Sequence, residues 1–136
     1  YLNQTMVFME DIVPIDLKAY KLALEESILI SFLDQNNMNE LDMMEYNDFK
    51  IPYEHFNSNT TTKLVSKAIF NLQGLDEAIT EENVFYYISK FRNLENEDYI
   101  RLISKLGFSF ETMKLQLNML IKINEEIKIN ERLQEL

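Results

Sequence analysis

The chain contains no cysteine. That absence excludes disulfides, thiolate zinc sites and cysteine nucleophiles together, and it fits a cytoplasmic setting. Glycine and proline are nearly as scarce, with two of each among 136 residues. An all-β domain draws on both for its turns, so helices are expected almost throughout. Two separated glycines cannot build a phosphate-cradling loop, which removes the common nucleotide-binding motifs. No apolar run approaches the roughly 20 residues that span a bilayer, and no basic-then-apolar leader opens the chain. Positive charge is short as well: 13 Lys and Arg against 23 Asp and Glu leave a net charge of −10. The lysines are scattered, so direct nucleic-acid binding is not expected.

What the chain has is core material. Hydrophobic residues make up 46% and aromatics 12%, enough to exclude a disordered chain at a length that suits one domain. It opens Tyr1-Leu2-Asn3 without an initiator Met, which reads as a piece of a longer protein. Pro14 is expected to end a short first helix by disfavouring helical geometry at Val13. A central helix then spans about Asp16 to Leu33, with Asp16 as N-cap and Leu17, Tyr20, Leu24, Ile28 and Phe32 along one face. Leu22, Leu29 and Leu33 widen that stripe to more than half the circumference, the mark of a helix contacted on several sides.

A short helix is expected over Met38 to Tyr46, with Leu41 and Met44 facing inward, and a turn at Asn47 to Pro52 that drops Phe49 into the core. Cap candidates lie between Asn57 and Thr62. Leu64, Val65, Ala68, Ile69 and Leu72 then form a helical stripe that Gly74 is placed to end in a left-handed conformation. Thr80 caps a further helix bearing Val84, Tyr87, Ile88 and Phe91 at i, i+3, i+4 and i+7. Tyr99, Leu102, Ile103 and Leu106 repeat that spacing before Gly107, the expected terminator of that helix.

Candidate chemistry is sparse. The single His55 sits beside Tyr53 and Phe56 and reads as a structural residue, since a general base needs a located partner. Asp34, Asp42 and Asp48 do not match a calcium-binding loop. Glu25-Glu26, Glu81-Glu82 and Glu125-Glu126 read as solvated faces or first-turn charges. Phe85, Tyr86 and Tyr87 read as packing residues rather than a base-stacking platform, and Met38, Met43, Met44, Met113 and Met119 as gap-fillers of a small core. No metal or cofactor is expected.

The last segment, Ser109 to Leu136, holds neither Gly nor Pro. Met113, Leu117, Leu120, Ile123 and Ile127 share one side, while Leu115, Met119 and Ile121 fall outside it. Ile129, Leu133 and Leu136 lie on roughly the opposite side. Either one long helix or a hairpin turning near residues 128–130 fits this pattern. Both leave more apolar surface than the segment can bury against itself, and such a surface marks a partner site.

Several short patterns together resemble a known helical fold. Leu24-Glu25-Glu26-Ser27-Ile28-Leu29-Ile30-Ser31-Phe32-Leu33 is similar to its first long helix. Tyr46-Asn47-Asp48-Phe49 is similar to an x-x-D-F turn preceding a helix with an aliphatic–Phe step, here Ile69-Phe70. Ile79-Thr80-Glu81-Glu82-Asn83-Val84 is similar to the capped helix that follows. This fold is shared by the C-terminal helicase-interaction domain of DnaG-type DNA primases and the N-terminal collar domain of DnaB-type replicative helicases. A hydrophobic segment before Pro14 and a polar helix ending at Leu136 favour the primase. The resemblance implies a non-catalytic domain of a DNA-directed RNA polymerase whose zinc-binding and polymerising parts lie upstream. It also implies a monomer that docks on the N-terminal domain of the hexameric helicase. The collar domain, which self-associates, and an unrelated helical regulatory module are the alternatives.

The expectation is therefore an all-α chain: a globular helical bundle over residues 1–108, then a protruding long helix or helical hairpin over 109–136. The expected partner-binding residues are Leu117, Ile121, Lys128, Ile129, Arg132, Leu133 and Leu136.

Overall fold

The structure, a computed structural model, describes the backbone of residues 2–36, 38–90 and 96–135, and the side chains of residues 17–36, 38–90 and 97–134. Its described residues form an all-helical bundle: α1 (Leu2–Leu33), α2 (Glu40–Asp48), a 3-10 turn (Tyr53–His55), α3 (Thr60–Gly74), α4 (Glu81–Ser89), α5 (Asn96–Ile103) and α6 (Phe110–Glu135).

The second half of α1 is the axis of the fold. Ile28, Leu29, Ile30 and Phe32 have no more than 1% of their surface exposed, and α3, α5 and α6 all pack against this helix. The expected break at Pro14 does not occur, so Asp16 is an interior residue and not a cap. A proline inside a helix removes one backbone donor, and α1 continues on both sides of it.

α6 runs antiparallel to α1. The Phe108 N–H just before it donates to Ser31 Oγ (2.9 Å), Ser27 Oγ donates to Gln116 Oε1 (3.0 Å), and the Tyr20 hydroxyl approaches Met119 Sδ at 3.9 Å. Phe110, Met113, Leu117 and Leu120 join α1 and α3 in one continuous core. At the bottom of that core four rings meet, with Phe32, Tyr46, Phe49 and Phe110 centroids 5.6–6.2 Å apart. Phe49 thus enters from its turn as expected.

Caps set most boundaries. Asn39 and Asn59 each accept from the N–H three residues on, and Asp42 and Thr62 return the bond, forming capping boxes for α2 and α3. Thr80 accepts from the Asn83 N–H (3.1 Å) and starts α4 as expected.

α2 packs in a different phase from the one its sequence suggests. Leu41 and Met44 point outward, 76% and 69% exposed, while Tyr46 is buried and Met43 half-buried. The phase of so short a helix is decided by its fixed ends: the Asn39 cap, and Tyr46, whose hydroxyl donates to the Phe32 carbonyl (2.8 Å) and accepts from Gln35 Nε2 (2.9 Å).

The two glycines also act differently from expectation. Neither has a positive φ; the left-handed residue after α3 is Asp76, with φ 61°. Gly107 is a close-approach residue, because a Cβ there would lie 3.0 Å from both Cβ and the carbonyl oxygen of Asp34. Its N–H donates to Asp34 Oδ2 (3.1 Å), clamping the α5–α6 connection onto the end of α1. Leu106, expected on the α5 stripe, lies beyond the helix and is 83% exposed. Val84, Ile88, Tyr99 and Leu102 are buried as read, and Phe91 lies outside the described residues.

Candidate partner-binding surface

A surface is available for a partner only where its side chains are not already used by their own fold. Glu25 and Glu26, read as solvated, are instead 0% and 4% exposed. Glu25 is satisfied by Lys21 and by the Ser58 N–H and hydroxyl, and Lys21 also donates to Asn57 Oδ1 (2.6 Å). Glu26 pairs with Arg101 (2.8 Å) and Lys105 (3.1 Å) from α5 and its C-terminal end. A helix enclosed on all sides has its polar positions covered as well, and buried carboxylates then require partners. These charges hold the bundle together.

A cleft of about 640 Å³ between the end of α1 and the start of α4 includes Asp34, Glu81, Glu82 and Lys105 in its lining. Asp34 is committed to Gly107 and Lys105 to Glu26, so these two charges of the cleft are structural. No cluster of metal-ligating residues occurs among the described residues, and none of the described helices is long and apolar enough to cross a membrane. Burial raises the pKa of the Tyr46 phenol. It raises that of Tyr99 too, with help from the nearby Glu81 charge. Both hydroxyls are spent on backbone carbonyls, Tyr99 on that of Glu81 at 2.7 Å. Of the neighbouring aromatics, Phe85 stacks near Tyr99 (5.4 Å), and Lys90 lies over the exposed Tyr86 ring at 4.5 Å.

α6 divides along its length. Its buried stripe, from Phe110 through Met113, Leu117, Leu120 and Ile123, ends at Asn124, which is only 8% exposed. The Asn124 side-chain amide donates to His55 Nδ1 (3.0 Å) and to the His55 carbonyl oxygen (3.1 Å). His55 therefore tethers α6, and Asn124 is a contributor that sequence reasoning missed. Ile127 is half-buried. From Lys128 to Gln134 every side chain is exposed.

This division sorts the expected partner-binding residues. Leu117, 5% exposed, belongs to the core and is not available to a partner. It shares the inward side of α6 with Met113 and Leu120, and a position there cannot also face outward. Ile121 is half-buried against the same core. Ile129 and Leu133 are 55% and 62% exposed. Lys128 and Arg132 are exposed beside them, and neither forms an ion pair with a described residue. Leu136 lies outside the described residues. The tail is one helix, not a hairpin. Two further apolar residues on α6, Leu115 (60%) and Met119 (42%), are also exposed.

Comparison of the chain with protein-family models, with curated proteins and with solved structures finds no match.

Proposed function

We propose that this chain is the helicase-interaction domain of a bacterial DNA primase, docking the priming enzyme on the N-terminal domain of the hexameric replicative helicase. The observation that carries the reading is the last stretch of α6. There Ile129 and Leu133 are exposed at i, i+4 spacing, flanked by the exposed Lys128 and Arg132, which form no ion pair with a described residue. Together with the order of helical signals from Leu24 to Val84, this supports a domain that tethers one protein to another. Docking would raise the local concentration of the primase beside freshly unwound template. The apolar pair would provide most of the affinity, and the cations would select for partner carboxylates.

The test is calorimetric titration of the full chain against an isolated N-terminal domain of a bacterial replicative helicase. The double variant Ile129→Asp/Leu133→Asp is expected to bind at least about tenfold more weakly, because two apolar anchors are lost and two charges are placed in the contact. No binding by the unaltered chain, or undiminished binding by the variant, overturns the proposal.

A further inference from the structure

The outward side of α6 carries a pattern that reads the same from either end. Leu115, Met119, Lys122, Glu126, Ile129 and Leu133 follow one another at steps of 4, 3, 4, 3 and 4 residues, the a/d repeat of a coiled-coil seam. At 100° per residue the six occupy an arc of roughly 80°, turned away from Met113, Leu117 and Leu120. All six are exposed. Met119 rests one edge on Tyr20, and neither Lys122 nor Glu126 has an ion-pair partner among the described residues.

The pattern is symmetric about Asn124. Lys122 and Glu126 stand two residues either side of it, Met119 and Ile129 five, and Leu115 and Leu133 nine. We infer that this face pairs with the same face of a second copy, the two α6 helices running antiparallel about a two-fold axis level with Asn124. In that arrangement each d position shares a layer with an a position of the other copy. The layers are Leu115 with Leu133, Met119 with Ile129, and Lys122 with Glu126, each formed twice over a seam about 27 Å long. The outer layers are apolar, and the two central ones join opposite charges. A parallel, in-register pair would instead set Lys122 against Lys122 and Glu126 against Glu126, so the central charges also select the antiparallel form. An isologous contact needs this kind of self-complementarity.

A seam of six side chains covers roughly half the ~800 Å² per partner typical of a stable complex, so the association is weak and reversible. It departs from the expectation of a monomer. Because Ile129 and Leu133 are used, a helicase bound at the tail and a second copy would compete, but the pairing stands whether or not the helicase reading does. Lys122 and Glu126 belong to the pairing alone, which keeps the two tests separable.

The experiment is sedimentation velocity on the full chain from about 10 μM to about 1 mM, a range suited to weak contacts. The average mass is expected to climb from 16.2 kDa toward that of a pair. Lys122→Glu should abolish the climb, since it places four carboxylates at the centre of the seam. Lys122→Glu/Glu126→Lys should restore it, because the swapped charges again face their opposites. Both positions are exposed, and far-UV circular dichroism checks that each variant keeps its helices. A chain that stays at 16.2 kDa throughout overturns the inference. So does a Lys122→Glu variant that associates as well as the unaltered chain.

Discussion

Three leucines on α6, each replaced by alanine, test whether the helix is divided as described. Leu120 is 0% exposed and Leu117 5%, whereas Leu133 is 62% exposed. All three substitutions remove the same atoms and trade one strong helix former for another, so helix propensity barely changes. The difference between them is burial. Truncating a buried leucine loses the transfer free energy of the deleted carbons and leaves a cavity, for a combined cost of about 3–5 kcal/mol. Leu120→Ala belongs at that end, and Leu117→Ala should cost about 2–4 kcal/mol because a little of its surface already meets water. Leu133→Ala should stay within about 0.5 kcal/mol. Urea unfolding followed by circular dichroism reads these values directly. With a slope of about 2 kcal/mol per molar urea, a 3 kcal/mol loss lowers the midpoint by about 1.5 M. The reasoning fails if Leu117→Ala unfolds at the unaltered midpoint, or if Leu133→Ala falls as far as Leu120→Ala.

Other substitutions probe the remaining contacts. Lys21→Met should cost about 3–5 kcal/mol, because it leaves the fully buried Glu25 carboxylate without its cation; thermal melts would show it, and an unchanged melting temperature would contradict the buried network. Gly107→Ala should destabilise by about 1–3 kcal/mol, since its methyl group would press on the Asp34 and Ile30 carbonyl oxygens, while Gly74→Ala, with open space around it inside α3, should stabilise by roughly 0.5–1 kcal/mol in the same urea assay. Tyr46 and Tyr99 have folded pKa values above the ordinary 10.0, so their unfolded forms release protons first as pH rises. Their contribution to stability is complete below pH 10 and declines above it as the folded values are approached. Tyr46→Phe should flatten that alkaline decline, and a decline of unchanged steepness would count against the assignment.

Much of this arrangement was legible from side-chain spacing. Val65, Ala68, Ile69 and Leu72 announce α3, and Thr80 announces the start of α4, because a one-sided apolar stripe and a cap are local signals. The exposed tail was legible for the same reason: Ile129 and Leu133 fall off the stripe that runs from Met113 to Ile127. Illegibility begins where tertiary surroundings overrule local pattern. Glu25 and Glu26 look like solvated charges until Lys21, Ser58, Arg101 and Lys105 arrive from distant positions to cover them. Leu41 and Met44 could face either way on a nine-residue helix, and a tyrosine–carbonyl bond decides. At Pro14 the local signal is for a break, and α1 nevertheless continues through it. Leu117 belongs by spacing to the inward stripe and is expected on the partner surface as well, and its burial places it in the core.

The central claim is that the fold leaves the end of α6 uncovered so that another protein can cover it. Amide hydrogen exchange, measured on the chain alone and with a replicative helicase N-terminal domain present, tests that claim most directly. At a chain concentration of about 1 μM, below the range of self-pairing, the account predicts fast exchange over residues 128–134 in the free chain and strong slowing there on addition of the helicase, with the α1 and α3 core slow in both. Slow exchange of that stretch in the free chain, or slowing confined to other helices in the mixture, would contradict it.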